Sequence, residues 1–200
     1  MRRIDDIATL EGLYGAPVPA SLSKVARRIG PEHGRWIAAS RFCVLSTVGP
    51  GGTDGSPRGD DGPVAEVADP RTVLIPDWSG NNRLDSLRNI VADGRVSLMF
   101  MVSGSTAVVR VNGRAFLTDD ADLRARFDRN GRLPATVIVV EVGEVYVQCA
   151  KAVLRSGIWG RDDSADLPSP GSLIREAADG AFDAEDYDRD YAERARPRMW

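Results

Sequence analysis

The chain is poor in the residues that build metal centres: its 200 positions hold two cysteines and one histidine. Cys43 and Cys149 lie in separate apolar runs, and neither falls in a Cys-x-x-Cys or Cys/His spacing, so no metal site is expected. Both read as buried free thiols of a reducing compartment. No stretch approaches the roughly 20 apolar residues of a membrane span. The start, Met1-Arg2-Arg3-Ile4-Asp5-Asp6, lacks the apolar run of a signal peptide. A soluble, cytoplasmic protein without a membrane partner is the expectation. Basic residues are not in excess either: 26 Lys and Arg against 29 Asp and Glu give a formal charge of -3. That balance argues against a nucleic-acid backbone as the main partner. Nucleophile elbow, P-loop and paired histidines are all missing. The glycine-rich Gly49 to Gly55 follows a strand-like run without opening a helix, so a dinucleotide-binding fold fails on context.

A hydrophobic fraction of 42% over this length suffices for one sizeable core. The chain divides into an N-terminal helical extension (1–41), a β-rich body (42–160) and a polar C-terminal tail with weak helices (161–200). Pro17 and Pro19 precede a short helical run, Ser21 to Ile29, which Gly30 ends; Pro31 opens a second one reaching Ser40. From Phe42 to Val48 apolar and β-branched residues alternate, and Gly49 to Gly55 supplies a turn. Further strand-like runs fall at 64–66, 72–76, 96–102, 106–117 and 136–148. One helix interrupts them, Asn82 to Asp93, with Leu84, Leu87, Ile90 and Val91 at helical spacing and Gly94 as its stop. A shorter helix, Asp119 to Asn130, joins the last two long strands. Many strands, few helices and no regular alternation favour a mainly β fold, a closed or half-closed antiparallel barrel. Beyond Trp159 the composition turns polar, and the tail, with weak helices at 172–178 and 184–195, reads as solvated, docked on a neighbour or frayed.

Three segments carry candidate chemistry. In Ser56-Pro57-Arg58-Gly59-Asp60, proline and glycine can hold Arg58 at a defined angle on a strand edge, which suits a phosphate. The same pentapeptide also suits a surface turn in which Arg58 pairs with Asp60 or Asp61. In Ile75-Pro76-Asp77-Trp78-Ser79-Gly80-Asn81-Asn82-Arg83 a strand leads into a helix start, where free N–H groups, Asn81, Asn82 and Arg83 can receive an anion. Alternatively Asn81 simply caps that helix. After the last long strand come Lys151, Arg155 and Trp159, either a cationic edge with an aromatic wall or a basic helix with an interface anchor.

Taken together, residues from about Phe42 to Trp159 resemble the FMN-binding split-barrel family related to pyridoxamine 5'-phosphate oxidase. The resemblance implies a split antiparallel β-barrel that forms a homodimer, binds FMN at the subunit interface and acts as an oxidoreductase on a small-molecule substrate. It places Arg58 and the segment Asn81, Asn82, Arg83 on the FMN phosphate, with Ile75 in the strand before them. Val109-Arg110-Val111-Asn112-Gly113-Arg114-Ala115 resembles the long central strand beside the isoalloxazine, which brings in Arg110. Lys151, Arg155 and Trp159 match a segment that approaches the flavin from the partner subunit. Related barrels hold a deazaflavin coenzyme or haem, and a non-enzymatic flavin-binding module is a further alternative. The family's founding enzymes carry basic residues and histidine near the C-terminus, whereas this tail is acidic and the only histidine is His33. The vitamin substrate therefore does not carry over.

Overall fold

Alternation along the strands builds the sheet. In the computed structural model, which describes residues 1–200, β1 (Phe42–Gly49) buries Cys43, Leu45 and Thr47 and exposes Phe42 and Ser46 between them. The strand β5 (Arg95–Met101) repeats the pattern with Val96, Leu98 and Phe100. Five more strands complete the sheet: β2 (Gly52–Gly59), β3 (Glu66–Asp69), β4 (Thr72–Asp77), β6 (Val108–Thr118) and β7 (Thr136–Gln148). Every pairing is antiparallel, in the order β2-β1-β5-β6-β7-β4-β3. The inward side chains form one cluster in which Leu45, Ile75, Leu98, Phe100, Val111 and Val145 are fully buried.

The two ends of this sheet meet through side chains. Strand β2 is first in the order and β4 next to last, yet Arg58 of β2 donates to Asp77 of β4 at 2.6 Å. Trp78, just past β4, donates to Asp60, just past β2, at 3.0 Å. A flat sheet would hold these groups several strand spacings of about 4.8 Å apart, so the sheet curls onto itself. No ladder joins β2 to β3, which leaves a seam in the barrel wall. This is the split antiparallel barrel that the sequence implied.

Eight helices flank the sheet: α1 (Ile7–Gly12), α2 (Pro19–Ser23), α3 (Pro31–Ala39), α4 (Asp85–Ala92), α5 (Ala121–Ala125), α6 (Lys151–Ser156), α7 (Pro170–Ala177) and α8 (Ala184–Ala195). Of these, α4 packs on β1 and β6 beside the seam. None is long and apolar enough to cross a membrane.

Several local expectations are corrected. The helix foreseen over Ser21 to Ile29 stops at Ser23, because Ala26 exchanges two backbone hydrogen bonds with Val145, at 2.9 and 2.8 Å. Pairing with the sheet overrides a weak helical preference there. The glycine-rich stretch from Gly49 is mostly strand: β2 starts at Gly52, and only Pro50 and Gly51 make the turn. The helix foreseen from Asn82 begins at Asp85, since Asn82 and Leu84 adopt φ of 59° and 63°. The run from Asp119 shortens to α5. Cys149 is exposed, not buried, because it sits one residue past the end of β7.

Candidate functional site

A cleft of about 940 Å³ opens at the seam. That is near the upper end of small-molecule sites. Its walls come from the ends of β2 and β4, the loop Trp78 to Leu84, and the first turns of α4. Arg58 reaches it from β2, an edge strand whose Pro57 needs no ladder partner on its free side. Asp77 holds the Arg58 guanidinium; the two side chains are only 13% and 20% exposed. The predicted alternatives, Asp60 or Asp61, do not pair with it: Asp60 binds Trp78 and Arg129, and Asp61 binds Arg41. One Arg58 donor, the buried Nε, has no partner at all. A buried unpaired donor costs about 1–3 kcal/mol.

The second anion-seeking element is the start of α4. Two left-handed residues, Asn82 and Leu84, bend the chain sharply before the helix, and no side chain caps it. Asn81 instead accepts from the Arg83 N–H at 3.0 Å, so the capping role open to Asn81 is not taken. The first N–H groups of α4 therefore remain available to an anion at the positive end of the helix dipole. Arg83 pairs with Asp85 at 2.5 Å, but both side chains are largely in solvent, so the pair holds Arg83 only weakly. Arg88, one turn into α4, also lines the cleft. Its sequence signal was its place one turn after the Asn-Asn-Arg segment, which sequence reasoning passed over. Thr136, whose buried hydroxyl also lacks a partner, lines the cleft beside Asp77 on the neighbouring strand and was missed as well.

The cleft's acids are engaged. Asp54 accepts from Ser86, Asp77 from Arg58, and Asp60 from Trp78. Facing Arg58 across the β1–β2 ladder is Cys43. Burial pushes the Cys43 thiol up to about 12, with the Arg58 charge a smaller opposing influence, so this thiol stays protonated and is no nucleophile.

Of the residues singled out from sequence, Arg58, Asn81, Asn82 and Arg83 converge on the cleft. Ile75 is 1% exposed and belongs to the core, one residue before Pro76 and Asp77, which do line the cleft. Arg110 donates to Ser97 at 3.3 Å and lies over the Tyr146 ring, away from the cleft. Lys151 and Arg155 project from the short α6, and Trp159 donates to the Ser105 carbonyl at 2.7 Å. None of these three meets Arg58 within one chain.

Comparison with known proteins agrees with this architecture. Residues 29–149 match the family model described as pyridoxamine 5'-phosphate oxidase. No curated protein matches the chain. Among solved structures, HupZ of Group A Streptococcus is similar at 15% identity and a TM-score of 0.50, over 60% of this chain and 99% of that one. A provisionally assigned pyridoxamine 5'-phosphate oxidase from Lactobacillus delbrueckii is similar at 19% identity and a TM-score of 0.48, over 60% and 95% of the two chains. An FMN-binding protein from Syntrophomonas wolfei is similar at 14% and 0.46, over 59% and 85%. At such identities the HupZ likeness speaks to fold alone. The family match spans more than half the chain, and it takes in the whole seven-stranded sheet and every residue lining the cleft except Met199. By that match, the chain belongs to the pyridoxamine 5'-phosphate oxidase family.

Proposed function

We propose that the seam cleft binds FMN and that the protein is an FMN-dependent oxidoreductase acting on a small molecule as a homodimer. One observation carries the reading: Arg58, its guanidinium fixed by Asp77, and the uncapped start of α4 line one cleft. A phosphate ester is the ligand group that satisfies both, since its oxygens accept from a guanidinium and from helix N–H groups together. Asp77 holds Arg58 in place, and Arg88 adds positive charge. Asn82 and Arg83 supply further donors on the same wall. Bound FMN would supply the hydride or electron transfer.

What one chain leaves open supports the dimer reading. Phe42, Phe116, Leu154, Ile158 and Trp159 are large apolar side chains between 40% and 63% exposed. A twofold partner covers such a surface and brings its own Lys151, Arg155 and Trp159 toward the cleft. The cationic pair would then stabilise the anionic reduced ring from the partner's side.

Titration of FMN into the Arg58→Ala and Arg83→Ala variants, followed by flavin fluorescence, tests the assignment. Loss of charge-assisted hydrogen bonds worth about 1.5–3 kcal/mol predicts a Kd raised roughly 10- to 100-fold for Arg58→Ala. A smaller rise is expected for the exposed Arg83. Unchanged affinity in both variants would sink the phosphate assignment.

A further inference from the structure

Past α8 the chain returns to the barrel. It turns through a short 3-10 segment, Arg196–Arg198, and Arg132 donates to the carbonyls of Pro197 and Trp200, both at 3.1 Å. The Trp200 indole N–H donates to Asp60 at 3.1 Å, and the Arg129 guanidinium lies 5.3 Å from its ring. Met199, held between these contacts, lines the cleft.

The acceptor at this anchor is strongly built. Only 3% of the Asp60 side chain is exposed, and its carboxylate receives the indoles of Trp78 and Trp200 and the guanidinium of Arg129. A carboxylate this far from solvent needs such donors to offset the cost of its burial. Asp60 is also two residues from Arg58, and Trp78 opens the loop that leads to Asn81. One carboxylate thus ties the two cleft walls and the returning chain together.

We propose that residues 196–200 form a strap that closes one side of the cleft, with Met199 as its wall and the Trp200 to Asp60 hydrogen bond as its latch. The strap sets how fast the cofactor leaves and how large a substrate can reach it. The inference rests on the reading of the cleft as an FMN site. Physically, an apolar Met199 side chain beside the cofactor excludes water, which strengthens each polar contact inside. Rupture of the latch loosens this cover, which Arg132 still holds at two carbonyls, without touching any phosphate-binding group.

FMN release is the test, measured by trapping released flavin from the full chain, from Trp200→Phe and from the Met199→Ala/Trp200→Ala double variant. Trp200→Phe keeps a ring but loses the donor, so its release rate should rise about threefold, and that of the double variant at least about tenfold. Equal release rates in all three would overturn the strap. Should the double variant fail to fold, Trp200→Phe decides by the same criterion. Failure of the wild-type chain to take up FMN would defeat the cofactor reading by itself. The strap is then judged by fluorine NMR of protein labelled with 5-fluorotryptophan, the Trp200 signal being assigned by its loss in Trp200→Phe. A Trp200 resonance shielded from a soluble paramagnet, and unshielded in Arg132→Ala, supports the strap; a resonance fully exposed in the wild type overturns it.

Discussion

At the scale of single residues, the partnerships that prepare the site connect positions far apart in sequence. Arg58 was legible because proline before it and glycine after it mark a rigid position on a strand edge. Its partner was not: Asp60 and Asp61 stand two and three residues away, yet the curl of the sheet delivers Asp77. Sequence spacing ranks near neighbours first, and the barrel reorders them. Cys43 follows the same logic, since its protonation depends on depth in the core. Its folded-state pKa, raised from 9.0 to about 12, means that the unfolded chain gives up its proton first as pH rises. The stability contributed by the neutral thiol is therefore complete below pH 9 and is lost between pH 9 and about 12. We expect urea unfolding at pH 10 and pH 8.5 to show wild type losing up to about 1.4 kcal/mol per pH unit more than Cys43→Ala. Parallel losses in the two proteins would contradict this.

Among the elements, β2, β4 and α4 shape the cleft, while β6 and β7 are the longest strands of the sheet that carries it. The long pair β6 and β7 shifts register at Asn112 and Gly113, where a Cβ on Gly113 would lie 2.0 Å from the Glu141 carbonyl oxygen. The backbone leaves no room for a methyl group. Gly113→Ala should thus lower stability by about 1–3 kcal/mol, the usual cost of overpacking, in a denaturant titration. The loop into α4 works in the opposite manner, through conformation instead of crowding. Leu84 at φ 63° turns the chain so that α4 starts uncapped at the cleft. Proline, fixed near −65°, cannot adopt that angle. Leu84→Pro should weaken FMN binding by more than about tenfold while the far-UV circular dichroism of the barrel persists, since the loop's strain serves the site and not the core. Full FMN affinity in that variant would remove the helix start from the site. Sequence periodicity found α4 through Leu87 and Ile90, but it counted the apolar Leu84 among the residues inside the helix. Left-handed backbone at a leucine leaves no trace in an apolar pattern.

For the whole molecule, composition and strand count sufficed for the fold class, and the strand limits of β7 were legible to the residue because a 13-residue β-branched run has few other uses. Sheet order was not legible, because β4 joins β7 across about a third of the chain and no local signal encodes that pairing. The tail shows the same limit. Its helix α8 was read correctly as Ala184–Ala195, while its return to Asp60 was not, since that contact spans 140 residues. Long-range partners determine where the chain's ends go, and so which cleft they cover.

Every functional reading of this molecule depends on FMN occupying the seam cleft. An absorbance spectrum of the purified protein before and after FMN addition, with mass spectrometry of whatever heat releases, tests it most directly. Oxidised-flavin bands and release of about one FMN per chain are expected of a preformed site. A colourless protein whose spectrum is the simple sum of protein and free FMN would contradict it.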